Sequence, residues 1–442
     1  MRYGIAITAL LALGSSADAA AISDRASSGG WGLASILSAF GISVSNDAGK
    51  HGPTFSINYN AHGNGVGAWQ KAVSHSIPWR NNFQGWSTYK ANGVNLGSWL
   101  EVEQGNTPNV IPSQYPDEWT FCSAVGKGAC GPVLENHYRT WFTTSDIDNF
   151  ARYGINTIRI PTTYAAWYAV PGSQLYTGNQ LAYLRTITNY ALSKGMHVII
   201  GLHSLPGGAN SLDIGEALGH GNWWYNQTNF DFSMKVVDQV LGFIQTTINP
   251  NQITFEPANE PCDDIRNFAT PNTISYPNGV NYYNTYLRAV YAKIQKVNRN
   301  IPMMISDAFM GASYWAPFWQ QGQNIVFDSH FYFFAASGVY SQFVSDITCG
   351  QASAAATSFP VFVGEFSIES KYNNTLAARR QIYQSQQYAY AQYLSGSAFW
   401  DGKLDVTDRV DGEGTKNDYW SFANLIKDGV VLPGGAINSS FC

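Results

Sequence analysis

The feature that most constrains the fold is an alternation of short apolar segments with longer helical patterns, which begins near Trp86. The apolar segments are rich in β-branched residues, and the stretches between them have helical periodicity. Such an alternation is typical of successive βα units that build a parallel sheet. The predicted strands span residues 91–95, 157–160, 197–202, 252–255, 302–306, 324–328, 361–364 and 397–400. Eight strands with crossover connections favour a closed (β/α)8 TIM barrel of the α/β class over an open sheet.

Helical periodicity fills most of the intervals between these strands. The predicted helices span residues 145–153, 180–194, 232–248, 282–297 and 375–394, with short candidates at 314–321 and 340–348. The chain has 442 residues, of which 45% are hydrophobic, so it can bury a large core. Because α/β barrels commonly form one large domain, we expect a single catalytic domain over residues 86–442.

The N-terminal residues have the pattern of a secretory signal peptide. Arg2 supplies a positive charge, residues 5–13 form an apolar run, and residues 17–19 have the small-x-small pattern of a cleavage site. The run is too short to cross a bilayer, and no later segment is long enough. We therefore expect a signal peptide over residues 1–19, a Gly/Ser-rich extension over 20–85, and secretion to the extracellular space or cell wall. Glycosylation is expected at three Asn-x-Ser/Thr sequons: Asn226, Asn373 and Asn438.

Charge and aromatic content restrict the partners. Charged residues make up 12% of the chain, the net charge is −5, and there is no basic block, which argues against a nucleic-acid partner. The 14 Trp, 26 Tyr and 24 Phe residues suit stacking on the apolar faces of sugars, and they suit an aromatic core equally well. No cluster has the spacing of metal ligands. We expect a monomer that uses neither a metal nor a cofactor.

The five cysteines favour two disulfides and one free thiol, because the number is odd and export favours oxidation. Cys122 and Cys130 lie close together in a Gly-containing segment that we expect to be a loop, and a disulfide there would clip it. Cys442 is the last residue and is expected to tie the tail to Cys349. Cys262 then remains as a buried thiol.

Polar and aromatic groups stand at nearly every strand end. They are Asn95 with Glu101 and Glu103 after strand 1, Arg159 at the end of strand 2, His203 after strand 3, Asn259 and Glu260 after strand 4, His330 and Tyr332 after strand 6, Glu365 after strand 7, and Trp400 with Asp401 at strand 8. The C-terminal ends of barrel strands meet at one rim, where the active sites of such barrels lie. These groups therefore predict an active site at that rim.

Glu260 and Glu365 would face each other across this rim. Cleavage of a glycosidic bond needs a carboxylic acid that protonates the leaving oxygen. It also needs a carboxylate that attacks the anomeric carbon or activates a water molecule. Arg159 would keep Glu365 ionised, and the negative charge of Glu365 would raise the pKa of Glu260. Asn259 would bind a substrate hydroxyl beside the reacting carbon. His330 and Tyr332 share one strand face by the two-residue period and would point into the site together.

Each of these groups also has a structural interpretation when it is considered alone. An Asn-Glu-Pro segment is more often a turn, a buried Arg is often an ion-pair residue, and His203, His330 or Trp400 is more often part of a core. Their joint occurrence at successive strand ends favours the active site.

The motifs around these residues resemble glycoside hydrolase family 5, in its fungal exo-β-1,3-glucanase branch. The similar segments are 93–100, with Ser98 where glycine is usual, 156–161, 202–207, with Ser204 in place of glycine, 259–261, 330–332, 363–366 and 399–400. The resemblance implies retaining double displacement, with Glu260 as acid/base and Glu365 as nucleophile. It implies further that the substrate is bound by Glu103, Arg159, His203, Asp213, Asn259, His330, Tyr332 and Trp400.

Three functions stay open at this stage. The resemblance favours an exo-β-1,3-glucanase that releases glucose from β-glucan ends. A related branch removes disaccharides such as rutinose from flavonoid β-glycosides, and its first-strand region is similar to residues 89–101. The sequence has Ile214 where the glucanase branch has Asn, and its 401–418 loop is long. Both differences leave the choice between the two substrates open. A catalytically weak carbohydrate-binding cell-wall protein is the third reading, and the intact pair Glu260 and Glu365 argues against it.

Overall fold

The computed structural model describes residues 79, 81–437 and 441–442. The expected signal peptide, nearly all of the N-terminal extension and the Asn438 sequon lie outside the described residues. No helix of the described part is long and apolar enough to cross a membrane.

Eight parallel strands close into a barrel in chain order, with β1 paired to both β2 and β8. The strands are β1 Ala91–Asn95, β2 Thr157–Thr162, β3 His197–Leu202, β4 Ile253–Glu256, β5 Met303–Ser306, β6 Ile325–Phe331, β7 Val361–Phe366 and β8 Gly396–Phe399. The helices are α1 Glu118–Val125, α2 Lys127–Thr140, α3 Thr144–Arg152, α4 Gln180–Ser193, α5 Gln227–Gln245, α6 Asn278–Val297, α7 Ala312–Trp315, α8 Val344–Ala355, α9 Arg379–Tyr393, α10 Lys416–Trp420 and α11 Phe422–Lys427. The (β/α)8 prediction is confirmed.

Four strands, β2, β4, β6 and β7, run further than the sequence pattern predicted. β6 continues to Phe331 and β7 to Phe366, so His330 and Glu365 lie inside paired strands and not beyond them. The two strands stay paired because their register shifts between Ser329 and His330, which brings His330 opposite Glu365.

Several helix boundaries were also predicted wrongly. α5 begins at Gln227, five residues before the prediction, because the Asn226 side chain accepts from the Asn229 amide and caps the helix there. α9 begins at Arg379 because residues 376–378 form a 3-10 turn first. The short candidate helix predicted at residues 340–348, between β6 and β7, is in the structure the longer helix α8, which has 12 residues.

An aromatic cluster closes the N-terminal end of the barrel. Phe83, Trp86 and Tyr89 precede β1 and join one buried cluster with residues from the strands, including Phe362. Trp86 donates from its indole to Thr254 Oγ1 at 2.9 Å. Loss of such a side chain, as in Trp86→Ala, costs about 3–5 kcal/mol. Because this end of the barrel is packed shut, a ligand reaches the barrel from the opposite rim.

Both predicted disulfides are present. Cys122 and Cys130 are bridged with their Cα atoms 5.2 Å apart, and Cys349 and Cys442 with theirs 5.7 Å apart. Cys262 is free and buried. The surroundings of the first pair were predicted wrongly. Its cysteines lie in α1 and α2, because Gly126 at φ 80° ends one helix and the next begins at once.

Two of the three sequons lie in the described part. Asn373 is exposed, and Asn226 is half-buried at the start of α5. A glycan at Asn226 would extend from the amide nitrogen, because the cap uses the side-chain oxygen.

Candidate active site

The two predicted catalytic carboxylates lie close together at the C-terminal rim. Glu365 stands near the end of β7, and Glu260 follows β4 after three residues. Oxygens of the two carboxylates lie within 4.8 Å of each other and of a ring nitrogen of His330. Both glutamates are buried. The rim therefore holds two carboxylates that can contact one bond from two sides.

Arg159 on β2 connects most of the site. Its Nη1 donates to Glu365 Oε1 at 2.8 Å and to Asn95 Oδ1 at 2.9 Å. Its Nε and Nη2 donate to the two oxygens of Glu256 at 2.8 and 2.9 Å. Nη2 also donates to Asn259 Oδ1 at 2.8 Å. One rigid guanidinium thus fixes the nucleophile candidate relative to the end of β4.

Glu256 is a site residue that the sequence analysis missed. It is the last residue of β4, one residue beyond the predicted strand, and it is fully buried. The sequence held no usable signal for it, because the burial of Arg159 and its need for a second counter-charge become visible only in the structure. Asp328 was missed as well, although it lies two residues before His330 on β6.

The surroundings of Glu365 hold its carboxylate ionised. Burial raises the pKa of Glu365, but the His330 and Arg159 charges and the Tyr332 hydroxyl lower it further than burial raises it. Tyr332 donates to Glu365 Oε2 at 2.8 Å. Each oxygen therefore has its own donor, and the net direction is downward, as a nucleophile requires.

Glu260 has the opposite balance. Burial is the largest cause that raises the pKa of Glu260, the contact with His330 lowers it, and the Glu365 charge adds a smaller increase. The net pKa is raised. The Glu365 charge thus raises the pKa of Glu260 as expected, and burial, which the sequence analysis did not consider, raises it more.

His203 and Trp400 form one wall of the rim. Their rings are stacked with centroids 5.7 Å apart and planes 12° apart. Burial lowers the pKa of His203 to about 3, so the ring is neutral, and its Nε2 lies 3.3 Å from Asn259 Nδ2. Gly97 admits this arrangement, because a Cβ atom there would lie 2.6 Å from the Trp400 indole.

Glu103 lies at the edge of this wall, with Oε1 4.0 Å from His203 Nε2. Its other oxygen accepts from Asn106 Nδ2 at 2.5 Å. Among the described residues no donor contacts the buried Oε1, and the Glu101 carboxyl lies within hydrogen-bonding reach of Glu103.

Asp213 is not grouped with Glu260 and Glu365. It begins a 3-10 turn after β3 and lines a separate, narrow cavity of about 10 Å³, which has space for roughly one water molecule. The remaining lining residues are Glu101, Val102, Glu118, Thr163, Leu175, Ser204 and Glu216. Within the described part of the chain, Glu101 Oε2, Glu118 Oε2 and Thr163 Oγ1 have no hydrogen-bond partner. Burial raises the pKa of Glu101 and Glu103, and the Asp213 charge raises both further.

Two facing carboxylates at the C-terminal rim of a (β/α)8 barrel define the class of barrel glycoside hydrolases. A family model described as cellulase, glycosyl hydrolase family 5, matches residues 123–403. The chain belongs to glycosyl hydrolase family 5.

Its similarities point to two groups of relatives. A probable glucan 1,3-beta-glucosidase A of Aspergillus niger is 30% identical over 285 residues, which are 62% of this chain and 64% of that protein. Glucan 1,3-beta-glucosidase 1 of Schizosaccharomyces pombe is 27% identical over 312 residues, 67% of this chain and 72% of that protein. The chain thus spans less than two thirds of the first of these curated relatives. The crystal structure of rutinosidase from Aspergillus niger is 42% identical with a TM-score of 0.77, and the match covers 79% of this chain and 100% of that one.

Proposed function

We propose that the chain is a secreted retaining β-glycosidase that acts as an exo-β-1,3-glucanase and releases glucose from β-glucan ends. The observation that carries the retaining mechanism is the separation of the carboxylates, whose nearest oxygens lie within 4.8 Å, and the similarity to glucan 1,3-beta-glucosidases supports the substrate. Retaining enzymes hold the two carboxyl groups about 5–5.5 Å apart, whereas inverting enzymes need about 6.5–9.5 Å to admit a water molecule.

In the first step Glu365 attacks the anomeric carbon and forms an ester bond with it. The bond from that carbon to the leaving oxygen breaks, and the Glu260 proton passes to the leaving oxygen. The raised pKa of Glu260 keeps the proton available, and the lowered pKa of Glu365 keeps the nucleophile charged. Arg159 and Tyr332 hold the two oxygens of Glu365 in place for the attack.

In the second step water replaces the leaving group. Glu260, now a carboxylate, takes a proton from the water while the water oxygen bonds to the anomeric carbon. The ester bond to Glu365 breaks, and both carboxyl groups return to their starting states. Two inversions give net retention of configuration.

The glucose in the −1 subsite would lie against Trp400. His203, Asn259, His330 and Glu103 surround that position and offer hydrogen-bonding groups. The ring face of Trp400 suits the apolar face of a sugar, and the Glu103 carboxyl group suits a hydroxyl donor.

A second candidate is a diglycosidase that releases a disaccharide such as rutinose from a flavonoid β-glycoside. One observation favours it. The match to the rutinosidase of Aspergillus niger covers the whole of that chain at 42% identity, against 30% identity for the probable glucan 1,3-beta-glucosidase A of the same species.

Hydrolysis of laminarin and of rutin by the purified protein, with identified products, separates these functions. Glucose from laminarin with intact rutin supports the exo-glucanase. Rutinose and quercetin with intact laminarin support the diglycosidase. A protein that binds either substrate and cleaves neither contradicts both and leaves a binding protein.

Secretion is part of the proposal, and it rests on the signal-like N-terminus and the two disulfides. Disulfides form and persist in oxidising compartments. Mass spectrometry of the protein from culture medium would show cleavage after residue 19 or 20 and would show which sequons carry glycans.

A further inference from the structure

Asp328 is a buried carboxylate that the proposed reaction does not use. It lies in the middle of β6 and is fully buried. Its Oδ1 accepts from the Gly364 amide at 2.6 Å, and its Oδ2 lies 3.3 Å from His330 Nε2. The same oxygen lies 3.8 Å from Arg159 Nε. Asp328 thus touches the residue before the nucleophile and the histidine beside the acid.

Gly364 is what makes this position available. A Cβ atom at residue 364 would lie 2.1 Å from Asp328 Oδ1, closer than any real contact allows. The neighbour is a fully buried carboxylate on the adjacent strand, so it cannot move aside freely. Glycine immediately before Glu365 therefore has a steric purpose, which is to admit the Asp328 carboxylate.

His330 has carboxylate oxygens at both ring nitrogens. Its Nδ1 lies 2.6 Å from Glu260 Oε1 and 3.4 Å from Glu365 Oε2, while its Nε2 faces Asp328. A neutral imidazole has one N–H and can donate on one side only. Carboxylates on both sides favour the imidazolium, in which both nitrogens donate.

We infer that Asp328 is a positioning residue for the proposed hydrolysis: it binds His330 Nε2–H and so holds His330 as an imidazolium whose Nδ1–H occupies Glu260 Oε1. The acid proton of Glu260 is thereby confined to Oε2, the oxygen left free for the leaving group. When Oε2 gives its proton to the leaving oxygen, the resulting carboxylate stays paired with the cation. Asp328 itself touches no reacting atom.

The surrounding charges agree with this arrangement. The groups that face His330 and Asp328 are Arg159 on β2, His203 after β3, Glu256 on β4, Glu260 after β4, Asp307 after β5 and Glu365 on β7. Burial lowers the pKa of His330, but Glu365, Asp328 and Glu260 raise it by more, so its net pKa lies well above the usual value.

The inference rests on the proposed function and is tested with Asp328→Asn in the full chain. Asparagine keeps the shape and an acceptor for the Gly364 amide but removes the charge. We expect kcat on the preferred glycoside to fall roughly 10- to 100-fold, while KM changes little. General acid–base catalysis contributes about 10²–10⁴-fold to the rate, and part of that is lost when the Glu260 proton is no longer held at the correct oxygen. The basic limb of the kcat/KM profile should move to lower pH, since a lost negative charge weakens proton binding by the Glu260–His330 pair.

Asp307→Asn is the matched control. Asp307 is also a buried carboxylate near His330, but it accepts from Ser329 Oγ at 2.5 Å, whereas the imidazole nitrogens face Glu260 and Asp328. An equal shift of the basic limb in both variants, or none in Asp328→Asn, would overturn the inference.

A second measurement covers the case in which Asp328→Asn does not fold. In the wild-type protein, ¹⁵N NMR of His330, assigned by its absence in His330→Gln, should show protons on both ring nitrogens at neutral pH. A neutral ring protonated at Nδ1 alone would contradict the role of Asp328. An inactive wild type would instead contradict the proposed function, and the NMR result would still decide the inference.

Discussion

Arg159 Nη1 lies 2.8 Å from Glu365 Oε1, and both side chains are buried. In this setting a charge pair is stable only when its remaining hydrogen-bonding groups are also satisfied. The guanidinium meets that condition through Glu256, Asn259 and Asn95. The ion pair is therefore part of a fixed network, and a change in its geometry should reach the chemistry of Glu365.

The first prediction concerns Arg159→Lys. An ammonium cannot reproduce the fork that holds Glu256, Asn259 and Glu365 at once, so we expect a roughly 100-fold loss of kcat/KM. The Arg159 charge helps to lower the pKa of Glu365. With the cation displaced that pKa rises, so the acid limb of kcat/KM should move to higher pH. The control is Arg139→Lys at an exposed position of α2, which should leave the profile unchanged. An unmoved acid limb in the Arg159 variant would contradict the electrostatic role.

The barrel itself could be predicted from the sequence because each inner strand is a short, continuous apolar run between helical patterns. β1 and β3 were predicted to the residue. β6 and β7 were predicted too short, because polar residues such as Asp328 and His330 end an apolar pattern but do not end the hydrogen-bonded ladder. The apolar pattern of the sequence depends on the side chains, whereas a strand ends where its backbone hydrogen bonds to the neighbouring strand end.

The strand ends predicted the central residues of the candidate site, but they did not predict Glu256 and Asp328, which surround Arg159. Glu260 follows β4 and Glu365 is the last residue but one of β7, so topology alone predicts that they meet at the rim. Arg159 was predicted at the end of strand 2 but lies in the middle of β2, and its long side chain reaches Glu365 from there. Glu256 and Asp328 lie inside the strands, and their proximity to Arg159 depends on barrel stagger, which the sequence does not show. The cavity around Asp213 depends on loop conformations that the sequence does not show either.

Glu365→Gln should abolish turnover while the protein stays folded. The amide keeps the size of the side chain and can still interact with Tyr332, but it cannot form the ester with the anomeric carbon. Nucleophilic catalysis and its electrostatic support contribute many kcal/mol, so the loss should be several orders of magnitude. Circular dichroism and the melting temperature report folding. Residual activity above about a tenth of wild type would be incompatible with Glu365 as the nucleophile.

The reaction should proceed with net retention of anomeric configuration. The nearest oxygens of Glu260 and Glu365 lie within 4.8 Å, which leaves no room for a water molecule between carboxylate and substrate. ¹H NMR of the first product from a β-glycoside should show the β-anomer before mutarotation. An α-anomer as the first product would rule out double displacement.

The tail disulfide should stabilise the protein more than the local one. Cys349–Cys442 closes a loop of 93 residues and Cys122–Cys130 one of 8. The entropy of loop closure then differs by about 2 kcal/mol in favour of the tail. Cys442→Ser should therefore lower the free energy of unfolding by more than Cys130→Ser does, as measured by denaturant titration. In the unreduced wild type, thiol titration should detect one group per chain, and only after unfolding, because Cys262 is buried. Equal losses in the two variants would contradict the loop-length argument.

Glu260→Ala separates the acid from the nucleophile. We expect a far greater loss on substrates with poor leaving groups than on activated aryl glycosides, because a leaving group of low pKa departs without protonation. The second step still requires a base for water. Aryl glycosides should therefore show a burst of released phenol, equal to the enzyme concentration, followed by slow turnover. Stopped-flow absorbance at the phenolate wavelength measures both phases.

Added azide should restore turnover of the Glu260→Ala enzyme on aryl glycosides. Azide is a charged nucleophile that needs no base, and the truncated side chain leaves space beside His330 where the carboxylate stood. Attack on the ester of Glu365 would give a glycosyl azide of β configuration, because the second inversion takes place on the same face as the normal attack by water. The Glu365→Gln enzyme is the matched control and should not respond to azide, since it forms no ester. If Glu260 were only a turn residue, its loss would reduce activity equally on all substrates and azide would have no effect. That outcome would remove Glu260 from the mechanism while leaving Glu365 in place.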